Sequence, residues 1–383
     1  MFPYVLLKFA VSLDGCLDDA SPQRLLLSNS RDFEAVDAER AAADAILVGA
    51  NTVRRDNPRL RVRDARLIDA RVHAARPPQP IRATWTRSGA VPADAAFFEG
   101  DDAARLVFCS AAAQSDLACR LADRAECLAL PDREPVAHVL AVLAQRGVRR
   151  LLVEGGAKTL AEFLRSELAD ELQVSIAPFL VGDAGAIRWC PPGDYPQHPA
   201  RRMRLDSLHR HDDLVALHYR IDAARPANES HAARDQRCMT IALREALRST
   251  RVLHRFAVGC AIAAADGTVI ATGYTGCGGE TVHAEQAALD RAAREGHDLR
   301  SATLYSTLEP CARRASHPHS CVERILAARV GRVVYVLTEP PIFQPGGGAA
   351  LLAAGGVKVE QCPEFAGAVR RVNDHLPGAA GSS

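Results

Sequence analysis

The sequence has little lysine, few aromatic residues and no excess of charge of either sign. Only three of the 47 basic residues are lysines, and the 46 acidic residues leave a formal net charge of +1. Such a balance argues against bulk electrostatic binding to nucleic acid or to an anionic membrane. Aromatic residues make up 5% of the chain and form no obvious platform for stacking bases. We therefore expect neither a nucleic-acid partner nor a membrane partner, and we disfavour an enzyme that acts on nucleic acid.

Long hydrophobic runs are also absent, since no apolar stretch approaches the ~18–20 residues that span a bilayer. The N-terminal residues Met1 to Lys8 lack the basic segment, apolar stretch and cleavage site of a secretory signal. The eleven cysteines are odd in number and scattered, which does not indicate a disulfide framework. We therefore expect a reduced, cytoplasmic protein in which a few cysteines can bind a metal.

A length of 383 residues predicts two domains. In residues 1–222, apolar strand-like runs alternate with helical patterns, and Ser30 is the expected N-cap of the first helix, which runs to about Ala43. The expected strands are residues 4–11, 45–48, 106–108 and 150–153, the last followed by a helix through about Glu167. This alternation predicts an α/β domain with a largely parallel sheet. Residues 223–234 have no apolar periodicity and are the expected linker.

Residues 235–376 form the second expected domain, which is also of α/β type. Asp266-Gly267 lies between two β-type runs and predicts a hairpin. The expected helices are residues 238–248, 284–294 and 321–328, and the expected strands are 257–263, 269–272, 303–306 and 333–337. Residues 377–383 are expected to be a disordered tail.

Four residues in the second domain have the pattern of a zinc-dependent deaminase. His283, Cys311 and Cys321 supply one imidazole and two thiolates, which leaves the fourth zinc position for water. Zinc lowers the pKa of that water, and Glu285 can then move its proton to a ring nitrogen and to the departing ammonia. Any one of these residues alone is more often structural. All four in the correct order, each near a predicted helix start, favour catalysis.

Residues 235–376 resemble the cytidine-deaminase-like superfamily. The resemblance rests on two segments, Thr281-Val-His-Ala-Glu-Gln-Ala-Ala-Leu289 and Leu308-Glu-Pro-Cys311. The resemblance is closest to the pyrimidine deaminases of riboflavin biosynthesis. Two departures are the long spacing from Cys311 to Cys321 and the Arg255-Phe256-Ala257 segment, where that family usually has Asn-Pro-Pro. The longer loop and residues 338–343 are more similar to fungal-type deaminases, which act after side-chain reduction. We interpret His317 and His319, which lie within this loop, as facing solvent or substrate.

The first domain has polar residues where parallel strands are expected to end. Thr52 and Asp56 follow the strand that ends at Gly49, which is where an α/β domain places its ligand. Arg40 and Arg63 are guanidinium groups suited to a phosphate ester. Glu154-Gly155-Gly156 leads from a strand into a helix, whose N–H groups can bind phosphate. A Gly-Gly pair alone is more often a plain turn, and an arginine-rich loop is often only solvated, which is our interpretation for Arg54, Arg55 and Arg59.

Together, these segments resemble the riboflavin-type reductase domain, which is similar to dihydrofolate reductase in fold. The resemblance covers about residues 1–222 and includes Ser12-Leu-Asp-Gly15 and Val153-Glu-Gly-Gly156. By position, it implies that NADPH contacts Thr52, Asp56, Gly156, Ala157, Lys158, Thr159 and Leu160. It implies that the phosphorylated pyrimidine substrate contacts Arg40, Leu60, Arg63 and Glu154. It also implies a homodimer formed through this domain.

The expected protein is a bifunctional enzyme of riboflavin-type pyrimidine metabolism, with a dihydrofolate-reductase-like three-layer domain before a three-layer α/β/α deaminase domain. The first domain would reduce the ribosylamino side chain of a diaminopyrimidinone 5′-phosphate with NADPH, and the second would remove the ring 2-amino group with zinc. The reductase-first domain order and the fungal-like loop suggest reduction before deamination. Two alternatives stay open. The same chemistry can serve a specialised azapteridine (toxoflavin-like) or antibiotic pathway, or the reductase-like domain can be only a binding or dimerisation module.

Overall fold

The computed structural model describes residues 1–100, 102–221, 229–314, 317–338 and 346–376. The chain divides into two compact units, Met1–Ala224 and Arg225–Ser383, and each has its own sheet and core. The expected tail, residues 377–383, and the first half of the expected linker, residues 223–228, lie outside the described residues. In the described part of the chain, no helix combines the length and apolar character needed to cross a bilayer.

The first unit is built on a nine-stranded sheet with the order β10-β11-β8-β1-β7-β3-β4-β5-β6. Its strands, with the two short strands β2 and β9 that pair separately, are β1 Tyr4–Ser12, β2 Cys16–Asp18, β3 Ala45–Gly49, β4 Ile81–Thr86, β5 Arg105–Cys109, β6 Glu126–Ala129, β7 Arg150–Val153, β8 Glu171–Ala177, β9 Ile187–Arg188, β10 Arg204–His211 and β11 Leu214–Arg220. All neighbours from β8 to β6 are parallel, and β10 and β11 are antiparallel. The expected, largely parallel sheet is confirmed.

Six α-helices accompany this sheet in the described part of the first unit. They are α1 Ser30–Ala42, α2 Ala50–Asp56, α3 Ala65–His73, α4 Ala111–Leu121, α5 Pro135–Gln145 and α6 Ala157–Arg165. The apolar strand residues Val5, Leu7, Leu47 and Leu151 are fully buried in one core, as expected of parallel strands covered on both faces.

The ends of two helices differ from the expected positions. The N-cap of α1 is Asn29, whose side chain accepts a hydrogen bond from the Asp32 N–H, so the expectation of Ser30 was wrong by one residue. Asn and Ser are both good caps, and the sequence offers them side by side. Helix α6 ends at Arg165 instead of near Glu167, because Glu167 has a left-handed backbone with φ 57° that ends the helical turn.

The second unit has a five-stranded sheet with the order β13-β12-β14-β15-β16. Its elements are α7 His231–Ala246, β12 Gly259–Ala263, β13 Val269–Tyr274, α8 Ala284–Arg294, β14 Thr303–Leu308, α9 Cys321–Ala327, β15 Arg332–Leu337, α10 Gly348–Ala354, β16 Lys358–Gln361 and α11 Ala366–Val372. Strands β12 and β13 form the hairpin predicted from Asp266-Gly267, in which Gly267 has a φ of 89°. Strands β14, β15 and β16 are parallel.

Helix α7 begins at His231, inside the expected linker and seven residues before the expected start at Cys238. Ser230 caps it by accepting a hydrogen bond from the Ala233 N–H. The first two turns are polar and lack an apolar stripe, which is why periodicity missed them. Ion pairs stabilise them instead: Arg237 binds Glu229 at 2.6 Å, and Asp235 binds Arg332 at 2.7 Å.

Candidate active sites: a metal-binding cluster and an arginine-lined cavity

The three expected zinc ligands meet at the carboxyl end of the second sheet. His283 is the N-cap residue of α8, Cys311 follows β14, and Cys321 is the first residue of α9. Ser320 caps α9 in a capping box with Glu323, which fixes the start of that helix. Each ligand therefore lies at an end of regular structure, where its backbone position is well determined.

The ligand atoms have the spacing of a tetrahedral zinc site. Nδ1 of His283 lies 3.7 Å from Sγ of Cys311 and 3.5 Å from Sγ of Cys321. Zinc–sulfur bonds of about 2.3 Å and zinc–nitrogen bonds of about 2.0–2.1 Å, at tetrahedral angles, require N···S separations of about 3.6 Å. The side chains are therefore arranged to accept the ion without rearrangement. The backbone N–H of Cys321 points to Sγ of Cys311 at 3.5 Å, and hydrogen bonding from Cys321 lowers the pKa of the Cys311 thiol to about 4.

Glu285 lies beside this cluster and is buried. Ser306 on β14 donates a hydrogen bond of 2.9 Å to its Oε1, and its Oε2 lies 3.5 Å from Sγ of Cys321. Burial raises the pKa of Glu285, although the charge of His283 opposes the shift. A carboxyl group held next to the metal position, with an increased affinity for protons, is suited to proton transfer.

Two arginines hold the elements that bear the ligands. Arg314 donates to Oε1 of Gln286 at 2.7 Å and to the carbonyl of Thr281, so the loop that follows Cys311 is tied to the start of α8. Arg324 on α9 forms an ion pair with Asp290 on α8. Neither arginine was identified from the sequence, because both contacts join segments that are distant in the chain. His317 and His319 are not members of the described metal-binding cluster.

Glycine lets α8 approach the sheet closely. A Cβ atom on Gly273 of β13 would lie 2.3 Å from the carbonyl oxygen of Ala284 and 2.7 Å from the Ala288 nitrogen. These are backbone atoms of the helix that begins at His283, so any side chain at this position would push the helix outward. The absent side chain therefore determines where His283 and Glu285 stand.

The first unit contains a cavity of about 800 Å³ at the carboxyl ends of its central strands. Its lining includes six arginines, Arg24, Arg40, Arg55, Arg59, Arg61 and Arg63. The expected residues Thr52, Asp56, Leu60, Glu154, Gly156 and Ala157 also line it. A cavity of this size with several guanidinium groups is suited to anionic ligands such as phosphate esters.

Arg40 and Glu154 contact each other within this cavity. The Nε and one terminal nitrogen of Arg40 donate to the two oxygens of Glu154, each at 2.6 Å, and the other terminal nitrogen donates to the carbonyl of Arg61. The Arg40 guanidinium is therefore bound at two points by a carboxylate. Arg63 is more exposed: 60% of its side chain is accessible, its Nε lies 3.7 Å from Oδ1 of Asp37, and its guanidinium lies over the ring of Phe33.

The glycine turn before α6 brings backbone to the cavity. Gly155 and Gly156 have φ of 111° and 37°, which favour glycine, and Gly156 is the N-cap of α6. The side chains of the next residues have different environments. Lys158 is exposed, Thr159 accepts a hydrogen bond from Trp85 at 2.9 Å, and Leu160 lies in the core. None of these three lines the described cavity.

Asp56 has a perturbed pKa and Leu60 has an unusual backbone conformation. Burial raises the pKa of Asp56, with the charge of Arg24 opposing the shift. Leu60 is buried with a left-handed φ of 48°, which is rare for a branched side chain. Strained backbone in a ligand cavity is a frequent feature of functional sites.

Sequence inspection missed several buried polar residues of the cavity. Lys8 on β1 is 4% exposed and donates to Oε1 of Gln173 on β8 at 3.4 Å. Asp32 on α1 and Ser175 on β8 are each 1% exposed. Lys8 lies in an apolar strand and Asp32 in a first helical turn, and both are common positions for structural residues. Only the strand order places them together.

Comparison with known proteins agrees with both sites. Residues 3–217, more than half of the chain, match the model of the RibD C-terminal domain. The chain belongs to this family. Residues 232–337 match the cytidine and deoxycytidylate deaminase zinc-binding region. The chain thus has a RibD-type reductase domain at its N-terminus and a zinc-binding deaminase domain after it, the arrangement of an oxidoreductase and deaminase in one enzyme. The expected family and fold class are confirmed.

Two relatives of this RibD-type chain each cover about half of it. A 2,5-diamino-6-ribosylamino-4(3H)-pyrimidinone 5′-phosphate reductase from Archaeoglobus fulgidus is 32% identical over 211 residues, covering 55% of this chain and 94% of that protein. Riboflavin biosynthesis protein RibD from Bacillus amyloliquefaciens is 34% identical over 187 residues, covering 47% of either chain. The chain therefore spans about half the length of that RibD protein. A pyrimidine reductase-like protein from Corynebacterium diphtheriae has the same fold, with a TM-score of 0.51, 20% identity and coverage of 58% of this chain and 93% of that chain.

Proposed function

We propose that this chain reduces the ribosylamino side chain of a diaminopyrimidinone 5′-phosphate with NADPH and hydrolytically removes the 2-amino group of the pyrimidine ring. The proposal is supported by a reductase cavity and a zinc-type cluster in one chain, both in families that include riboflavin-biosynthesis enzymes. The spacing of His283, Cys311 and Cys321 carries the deaminase half. The homodimer and the cytoplasmic location remain predictions.

In the deaminase unit, His283, Cys311 and Cys321 would hold zinc, which when bound supplies hydroxide near neutral pH. Glu285 accepts the proton of the attacking water at its carboxylate and delivers it to the ring nitrogen, and a second transfer protonates the leaving ammonia. Ser306 holds Oε1, so the other oxygen remains the proton-transferring atom. Burial of Glu285 keeps bulk water from competing for this proton.

In the reductase unit, NADPH would supply the hydride, and the chain orients the two ligands. The glycine turn and Ala157 allow a phosphate to approach the N-terminus of α6, near Thr52 and Asp56. Gly156 and Ala157 line the described cavity, and the NADPH contacts that the resemblance assigned to Lys158, Thr159 and Leu160 stay predictions. Arg63, whose side chain is largely exposed, would bind the substrate phosphate, and the Arg40–Glu154 pair lies in the same cavity wall. Catalysis is then mainly orientation of the nicotinamide against the sugar carbon.

We further propose that reduction precedes deamination. The named substrate of the A. fulgidus relative still has both ring amino groups, and this chain covers 94% of that protein. The test is NADPH oxidation by the full-length protein with the 2-amino and the 2-oxo ribosylamino pyrimidine phosphates offered separately. We expect faster oxidation with the 2-amino compound. Preference for the 2-oxo compound would reverse the order, and oxidation with neither would contradict the reductase function.

A further inference from the structure

Asp32 is a buried acid that the proposed chemistry does not yet use. It lies in the first turn of α1 and lines the reductase cavity together with Lys8, Phe33 and Ser175. A carboxylate that is 1% exposed loses solvation, so it requires donors to remain stable in that position. Its neighbours show which donors the protein supplies to the carboxylate.

The orientation of Asp32 is fixed from three elements. Oγ of Ser175 on β8 lies 2.6 Å from Oδ1 of Asp32, and Nδ1 of His211 on β10 lies 3.1 Å from the same oxygen. The backbone N–H of Asp32 donates to Asn29 at 3.0 Å, which anchors the turn itself. These contacts hold the carboxylate at the cavity wall, where an amino group of a ligand can donate to it.

The carboxylate is also held in its charged form. Burial alone would raise the pKa of Asp32, but hydrogen bonds from Ser175 and Ser28 and the charge of Lys8 outweigh burial and lower it. A buried acid kept ionised at the wall of a cavity is a strong hydrogen-bond acceptor.

The strand order separates this part of the cavity from the glycine turn. Lys8 and Ser175 lie on the adjacent strands β1 and β8, whereas Gly156 follows β7 and Thr52 follows β3. The glycine turn offers backbone N–H groups that suit phosphate. The β1–β8 side offers one cation and one anion at buried positions, which suits a flat polar ring with acceptors and donors on its edge.

We propose that Asp32 binds the 2-amino group of the pyrimidine ring and thereby selects a substrate that has not been deaminated. This inference rests on the proposed reductase function. An amino group donates N–H to the carboxylate, whereas the oxygen of a 2-oxo ring would place its lone pairs against the same anion. Lys8, on the neighbouring strand, can donate to a ring carbonyl. A ligand that lacks the donor would leave the buried carboxylate without a hydrogen bond from the ligand. Such a site therefore discriminates strongly against that ligand.

The test compares the Asp32→Asn variant with the full-length wild type on the two ribosylamino pyrimidine phosphates. We expect kcat/KM for the 2-amino compound to fall by roughly 10–100-fold, because a hydrogen bond to a charged group is lost. The value for the 2-oxo compound should not fall, since its oxygen no longer meets a full negative charge. Equilibrium binding of the two ribitylamino products, measured by calorimetry without NADPH, should show the same change in preference.

Glu34→Gln is the matched control, because Glu34 lies in the same helix and is exposed outside the cavity. It removes a charge near the same helix end and should leave the substrate ratio unchanged. If Asp32→Asn does not fold, Ser175→Ala removes one donor to Oδ1 and should shift the ratio in the same direction by a smaller factor. An unchanged ratio in the folded variants overturns the role of Asp32. Absence of NADPH oxidation by the wild type with either compound overturns the reductase function instead.

Discussion

Arg40 and Glu154 form a two-point ion pair inside the reductase cavity, with both N···O distances at 2.6 Å. Arg40 lies on α1 and Glu154 directly follows β7, so the pair fixes a helix against the carboxyl end of a central strand. The side chains are 15% and 13% exposed, which limits competition from water. Planar guanidinium and carboxylate groups match in this geometry, and a lysine ammonium does not.

We therefore expect Arg40→Lys to lower NADPH oxidation by at least about tenfold, since loss of the fork misplaces Glu154 within the ligand cavity. Ammonia release by the deaminase unit should remain. Arg54→Lys is the matched control, because Arg54 does not line the cavity and donates instead to the Ala90 carbonyl and to Asn51. Full activity of Arg40→Lys would show that the pair is not required for ligand orientation.

We expect substitutions in and beside the metal cluster to affect zinc content and catalysis separately. Cys311→Ala and Cys321→Ala should each lose most of the bound zinc, because two ligands cannot complete the site. Glu285→Gln should retain about one zinc per chain and lose ammonia release by at least about 100-fold. Cys277→Ala is the control, since Cys277 is not a member of the described cluster. Metal analysis and an ammonia assay distinguish these results, and turnover by Glu285→Gln would contradict its role in proton transfer.

Gly273→Ala should damage the deaminase site without touching a ligand. The new Cβ would overlap the backbone of α8, and relief of that overlap moves His283 and Glu285 away from the two cysteines. We expect a loss of stability of about 1–3 kcal/mol and weaker zinc retention. Gly279→Ala is the matched control, because a Cβ there meets only the Val282 side chain at 3.4 Å. Equal zinc affinity in both variants would show that α8 tolerates the displacement.

We expect the first unit to lose stability in mild acid because of His218. Burial lowers the pKa of His218 from 6.5 to about 4, so the unfolded chain binds this proton more readily than the folded one. The contribution to stability is complete above pH 6.5 and decreases as the pH falls towards 4. Between pH 7 and pH 5 the first unit should lose about 2 kcal/mol from this group.

Denaturant unfolding followed by tryptophan fluorescence measures this change, because both tryptophans, Trp85 and Trp189, lie in the first unit. His218→Gln should remove most of the dependence on pH in this range. His73→Gln, at an exposed position of the same unit, should leave it intact. If His218→Gln retains the full dependence, another group is responsible.

The deaminase cluster could be predicted from sequence because its ligands occur at the starts of helices and at the end of a strand. His283 and Cys321 each begin a helix, and such starts have local sequence patterns. The reductase cavity was less predictable. Asp32 meets Ser175 and His211 through strand order alone, and a single acidic residue in a first helical turn is an ordinary helix-stabilising feature.

The start of α6 likewise combines a feature that the sequence predicts with one that depends on tertiary contacts. The Gly155-Gly156 turn was predictable because glycine is needed where φ is positive. The divergence of Lys158, Thr159 and Leu160 depends on which face of α6 meets the sheet, and that face is set by contacts with Trp85 and the core. The sequence therefore predicts the turn, whereas the directions of the side chains after it are set by tertiary packing.

The cysteine ligands are anchored independently of the loop between them. Cys311 lies three residues beyond the end of β14, and Cys321 is the first residue of a helix that the Ser320–Glu323 capping box fixes. The number of residues connecting them is therefore free to change in evolution while the metal coordination stays the same. The spacing of the two cysteines can therefore vary among deaminases without altering the hydrolytic chemistry at the metal.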